Sequence, residues 1–272
     1  TLNNHQNELS ADVIIVADSG NWSTEIPALT VSLRGNATIK LTVETLDHAV
    51  HSGMFGGAVP DAMIPLVQIL SRLHEADGSV AVPGLTSRQG EVPSYTEETL
   101  REESGLLPGV SRIGDGPILD RIWNQPSITV IGVDAPSTAE SSNTLLPAAS
   151  AMVSLRVAPG QDAFEAGQLL MSFLSQNPPL DARVSVELMG SGSAFEMEAT
   201  HPTVARVKEA MSAAWGVHPI DIGVGGSIPF IAEFVEAFPE AVVLVTGIED
   251  PDTRAHSPNE SLHIPSFEKA IV

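Results

Sequence analysis

The chain has 272 residues, 43% of them hydrophobic, and a formal net charge of -21 at pH 7. That length allows one large domain or two smaller ones with separate cores, and the charge argues against nucleic acid or anionic membrane as a partner because both would repel it. With no cysteine, disulfides, thiolate metal sites and a cysteine nucleophile are excluded, so any metal must be held by His and carboxylate.

No apolar run reaches the length of a membrane helix. No basic segment followed by an apolar one opens the chain, and cytoplasmic residence is the default expectation. The polar opening, Thr1 to Ser10, reads as a loop. Val13 to Val16 form a short apolar run of the kind buried on both faces of an α/β sheet. Asp18 then falls at the strand's carboxyl end, where open α/β sheets gather their ligands. A single interior strand needs neighbours from elsewhere, which suggests a portion of a longer protein.

From Ala28 the pattern alternates, with Ile39, Leu41 and Val43 on one face of a half-buried antiparallel strand. Val59, Met63, Leu66, Ile69, Leu70 and Leu73 recur at helical spacing, with Gly78 closing the segment. The stretch from Val80 to about residue 126 is rich in Pro, Gly and Glu and reads as an insertion with short helical pieces. Strands are predicted at Ile128 to Val133 and Ala151 to Val157. Asp162 and Glu165 form a capping box for the next helix, Pro178-Pro179 end it, and Val184, Val186 and Leu188 alternate in a further strand. This β-α-β-β-α-β order predicts one antiparallel sheet with helices on one face. After a loop from Gly190 to Thr200, helices marked by Val204 to Trp215 and Ile228 to Phe238 and a strand at Val242 to Val245 restore the α/β pattern. The expected fold class is α/β, a mixed sheet with helices, interrupted by the β-α-β-β-α-β unit. The division is 1–29, 30–192 with its insertion at about 80–126, and 193–272.

Several residues carry candidate chemistry, and each has a plainer reading. Asp18 in Asp-Ser-Gly is either a turn residue or a carboxylate metal ligand. His256, in Ala-His-Ser-Pro-Asn-Glu, is either a loop histidine or a ligand. His51 precedes Ser-Gly-Met-Phe-Gly-Gly, a run whose backbone bends sharply or approaches a ligand. Gly225-Gly226-Ser227-Ile228-Pro229 precedes a helix, with Ser227 a natural N-cap; free N–H groups there suit a carboxylate. Arg156 interrupts an apolar strand as an edge residue or a planar carboxylate donor.

Taken in order, Ala-Asp-Ser-Gly, His-Ser-Gly-Met-Phe-Gly-Gly, Asn143-Thr144-Leu145-Leu146-Pro147 with Ser154-Leu155-Arg156, Gly-Gly-Ser-Ile-Pro and His-Ser-Pro-Asn-Glu form a series that resembles the M20 metallopeptidases. The likeness is nearest their carnosinase and Cys-Gly dipeptidase branch and runs from about Asp12 to the C-terminus. It implies a zinc-exopeptidase catalytic domain carrying two Zn2+ per intact subunit, and an inserted lid that forms a homodimer. It further implies Asp18 and His256 as ligands of different zinc ions, and His51 reaching from one subunit's lid to stabilise the oxyanion in the other. Thr144 would lie beside His51, and Arg156, Gly226 and Ser227 would hold the terminal carboxylate of a dipeptide or short peptide.

A complete member also carries a His-x-Asp motif, a bridging Asp and a Glu-Glu pair before the Asp18 block, and only Thr1 to Ala17 stand there. The expectation is therefore a dipeptidase parent, with this polypeptide alone inactive and free of zinc. Other readings are an M20 deacylase of N-acyl amino acids, a non-catalytic dimerisation module, and a metal-independent carboxylate-binding protein.

Overall fold

The computed structural model describes residues 2–272. The opening is a helix, α1 (Leu2–Leu9), interrupted at His5, where the sequence suggested a loop; Thr1 lies outside the described residues. Gln6 Nε2 donates to the Ala237 carbonyl at 3.0 Å, so a tertiary partner that local polarity does not reveal holds this turn.

A mixed sheet is built from β1 (Val13–Ala17), β2 (Ala28–Leu33), β9 (Phe195–Glu196), β10 (Ile220–Val224) and β11 (Val242–Thr246) in the order β1-β11-β2-β10, with β9 beside β2. β1 runs parallel to β11 and β10 parallel to β2. Leu29, Leu33, Leu244 and Val245 fill its core against Val204 of α7 (Pro202–Trp215) and Ile231 of α8 (Pro229–Ala237). Within this chain β1 differs from the expected strand buried on both faces. It is an edge strand, Val16 alone is buried, and Ile15 is 62% exposed. An apolar run specifies a strand; it does not specify how many neighbours the strand has.

The second sheet has the order β5-β7-β3-β8, from β3 (Gly35–Glu44), β5 (Ser127–Asp134), β7 (Ala148–Val157) and β8 (Arg183–Gly192). All its pairings are antiparallel. Ala37, Ile39, Leu41 and Val43 point to one face, each fully buried against Leu66 and Ile69 of α3 (Met63–Ser71) and Leu170 and Leu174 of α6 (Ala163–Ser175). Burying each such Leu or Ile side chain contributes about 1.5–3 kcal/mol. Asp162 caps α6 by accepting from the Glu165 N–H at 2.8 Å. α3 stops at Ser71, short of Gly78, which instead turns at φ 82°. The segment after it holds α4 (Glu97–Ser104) and α5 (Ile118–Asn124). β4 (Val50–His51) pairs with β6 (Thr144–Leu145) in a small ribbon followed by α2 (Ser52–Phe55), and α9 (Ile264–Ile271) closes the chain.

The chain passes from one sheet to the other at Arg34 and returns between Gly192 and Phe195. Both crossings lie side by side, because Asn36 pairs with Gly192 and Leu33 with Phe195. The stretch expected as a loop from Gly190 to Thr200 therefore begins as strand through Gly192 and holds the short strand Phe195–Glu196 before it turns.

Candidate functional site

The sequence candidates fall into three groups. The first is at the carboxyl edge of the mixed sheet. Asp18 is exposed just beyond β1, and the loop carrying His256 leaves the adjacent parallel strand β11. The two loops are locked together, with Gly20 bridged to Glu249 and the Asn21 N–H donating to the Glu249 carbonyl at 2.7 Å. A Cβ at Gly247 would lie 1.6 Å from the Ser19 carbonyl oxygen, so only glycine permits this approach. Arg254, His256 and Asn259 all have positive φ (57°, 61° and 63°). Left-handed non-glycine residues cost about 1–2 kcal/mol each, and such strain clusters where geometry serves a site.

The second group is the ribbon. The backbone pairs His51 directly with Thr144, and the Ser52 N–H donates to the Asn143 carbonyl at 2.9 Å. Asp61 anchors the ribbon to α3 by accepting from the Met63 N–H at 2.8 Å and the Leu146 N–H at 2.5 Å. His51 is exposed, and its Nδ1 accepts from the Gly53 N–H at 3.0 Å. An accepting Nδ1 leaves the neutral ring's proton on Nε2.

The third group lies at the seam between the sheets. Arg156 Nη1 donates to Ser227 Oγ at 3.1 Å, and Ser227 Oγ donates to Asn36 Oδ1 at 3.1 Å. Ser227 therefore does not cap α8, whose N-cap is Ile228; its hydroxyl is held by β7 and β3 of the second sheet instead. Two residues of this group escaped the sequence reading. Arg34, only 8% exposed, donates from Nε to the Gly225 carbonyl at 3.0 Å, and from Nη1 to the Gln125 carbonyl and Ser127 Oγ, both at 3.1 Å. Burial, and then the neighbouring Arg156 charge, push its guanidinium down to about 10, so it stays cationic at neutral pH. A Cβ at Gly225 would meet Arg34 Nη2 at 2.9 Å. Arg34 interrupts an apolar alternation just as Arg156 does, so the same reasoning extends to it. Asn36 carries no such sign. Two guanidinium groups thus lie near each other beside Gly225.

Among the described residues, no hydrogen bond links the three groups to one another.

Residues 31–181, more than half of the chain, match the model of the M20 peptidase dimerisation domain. The chain belongs to the M20 peptidase family. It is 33% identical over 267 residues to the cysteinylglycine-S-conjugate dipeptidase of Corynebacterium striatum, covering 97% of this chain and 59% of that protein. To the Cys-Gly metallodipeptidase of Schizosaccharomyces pombe it is 27% identical over 279 residues, covering 96% and 57%. It superposes on the solved structure of the di-peptidase Dug1p from Saccharomyces cerevisiae with a TM-score of 0.81 at 25% identity, covering 99% of this chain and 59% of that one. The chain thus spans less than two thirds of the length of each.

M20 metallodipeptidase relatives imply a metal cofactor. The donor types on the carboxyl edge, a carboxylate and an imidazole, suit zinc. Among the described residues, however, no three His, Asp or Glu side chains gather closely enough to hold an ion, and catalytic zinc takes three protein ligands. The residues of this M20 chain do not by themselves fit a catalytic metal centre.

Proposed function

We propose that the chain carries the lid and the carboxylate-binding part of a dinuclear zinc dipeptidase that cleaves dipeptides or short peptides. The observation that carries this reading is the Arg156–Ser227 hydrogen bond beside buried Arg34, in an M20 chain whose relatives include dipeptidases. On this reading Arg156, Gly226 and Ser227 hold the substrate's terminal carboxylate and fix the peptide's orientation. His51, with Nε2 as donor, meets the charge that develops on the carbonyl oxygen in the transition state of a partner protomer, with Thr144 beside it. Asp18 and His256 each supply one ligand to a different Zn2+. The remaining ligands and the general base come from outside this chain, and the polypeptide alone neither holds zinc nor cleaves peptides.

The proposed division is a lid of about 30–192 between catalytic portions 1–29 and 193–272. The pairing of β2 with the mixed sheet supports a first seam nearer Arg34. A homodimer through the lid is supported by the matched dimerisation domain and by edge strand β5, where Ile131 is 58% and Val133 49% exposed. Among the described residues no helix is long and apolar enough to cross a membrane; cytoplasmic residence is our proposal.

The test supplies the chain with a complementing N-terminal segment of an M20 dipeptidase and measures Cys-Gly hydrolysis with and without zinc. The expected result is zinc-dependent cleavage by the pair, none by the chain alone, and loss of cleavage in Arg156→Ala. Cleavage by the chain alone, or about two zinc ions retained per chain after desalting, as a co-catalytic pair needs, would overturn the reading. The finer alternative, cleavage of N-acyl amino acids, is separated by offering acetylated substrates to the same pair.

A further inference from the structure

A cavity of about 400 Å3 lies where α4, α5 and the loop between them pack against the start of β5. That volume is in the range of sites that enclose a small ligand, roughly 300–1,000 Å3. Its walls are largely apolar, with Leu100, Ile113 and Ile122 among them. Arg34, Arg112 and Arg121 bring three guanidinium groups to it, and no Asp or Glu is among its lining residues.

This runs against the composition. The chain has 34 acidic residues against 13 Lys and Arg, so most of its cations have carboxylates to choose from. Arg34 is committed, with hydrogen bonds to the Gly225 and Gln125 carbonyls and to Ser127 Oγ. Arg121 makes one long bond from Nη1 to Gln125 Oε1, 3.3 Å. Arg112 Nη1 is buried and has no hydrogen-bond partner among the described residues. Buried donors on charged groups are almost always paired, because leaving one unpaired forfeits its hydration without return. Nη1 itself is out of reach from the cavity, so an anion there would meet Arg112 through the charge and the part of the guanidinium that lines the wall.

We propose that this cavity binds a small amphipathic anion, with its head on Arg112 and Arg121 and a short aliphatic tail against Leu100, Ile113 and Ile122. The guanidinium fork matches a carboxylate in shape and charge, which makes a medium-chain carboxylate the favoured ligand. The site is separate from the Arg156–Ser227 pair. Arg34 stands between them, touching the cavity on one side and the Gly225 carbonyl on the other. The inference therefore stands or falls independently of the dipeptidase reading.

The experiment titrates the full chain with octanoate, octyl phosphate, octanol and inorganic phosphate by calorimetry. Saturable one-to-one octanoate binding is expected. R112Q and R121Q should each weaken it about tenfold, the size of one charge-assisted hydrogen bond, while far-UV circular dichroism and Tm stay unchanged. If either variant fails to fold, the other carries the comparison. Tighter binding of octyl phosphate, with the same loss in the variants, supports the site and assigns its head as phosphate. No saturable octanoate or octyl phosphate binding up to solubility would overturn the proposal. So would octanol binding as tightly as octanoate, or affinities indifferent to both arginine substitutions.

Discussion

Arg34→Met tests whether the seam between the two sheets is held as the geometry says. Arg34 is 8% exposed and donates to the Gly225 and Gln125 carbonyls and to Ser127 Oγ. Methionine fills much of the same space and donates nothing. The Ser127 hydroxyl can rotate to another partner, so the cost falls on two carbonyls, each about 1–3 kcal/mol when left without a donor. Part of this is returned, because burial and the Arg156 charge both disfavour the Arg34 cation in the folded chain. The net expectation is a loss of about 2–4 kcal/mol. Trp123 is the natural reporter. It is buried with Ala28, Leu119 and Ile222 beside the seam. Urea unfolding followed by tryptophan fluorescence should show the Met variant's midpoint well below wild type. Arg34→Lys keeps the charge without the planar fork, and should fall between them. A Met variant within about 0.5 kcal/mol of wild type, the range of an ordinary surface change, would refute the claim that these hydrogen bonds join the sheets.

Three other outcomes follow from the geometry. Gly247→Ala should give little folded protein by circular dichroism, since its Cβ would sit 1.6 Å from the Ser19 carbonyl oxygen and neither is a flexible side-chain end. Asp162→Ala removes the acceptor of the Glu165 N–H and should lower stability by about 1 kcal/mol in the same urea assay. Arg88 holds Glu196 through two hydrogen bonds of 2.9 and 3.0 Å and depresses its carboxyl, with partial burial opposing. A depressed carboxyl stabilises above its unfolded value and loses that contribution as pH falls through the folded one. Glu196→Gln should therefore cost under about 1 kcal/mol near pH 7, as expected for a half-exposed pair, and the difference should fade as pH drops below about 4.3.

Much of this protein was legible where one residue's chemistry fixes the local outcome. Alternation at Ile39, Leu41 and Val43 specifies a strand with one buried face, because side chains on a pleated strand alternate strictly. The helical spacing of Leu66 and Ile69 supplies the partner stripe. From those, the β-α-β-β-α-β order and its antiparallel sheet follow. The spacing of the His51 and Thr144 blocks carried less, yet the short ribbon pairs them directly. What tertiary structure alone decided depends on contacts between distant segments. The apolar run at Val13 to Val16 does not state that β1 lies at an edge. The polar start does not state that Gln6 finds the Ala237 carbonyl. The serine after Gly225-Gly226 has the local character of a cap, yet its hydroxyl lies between Arg156 and Asn36, because those strands bring stronger partners than its own helix end offers. Arg34 is a buried staple for the same reason: its three acceptors come from residues 125, 127 and 225, and only the folded chain places them within one guanidinium's reach.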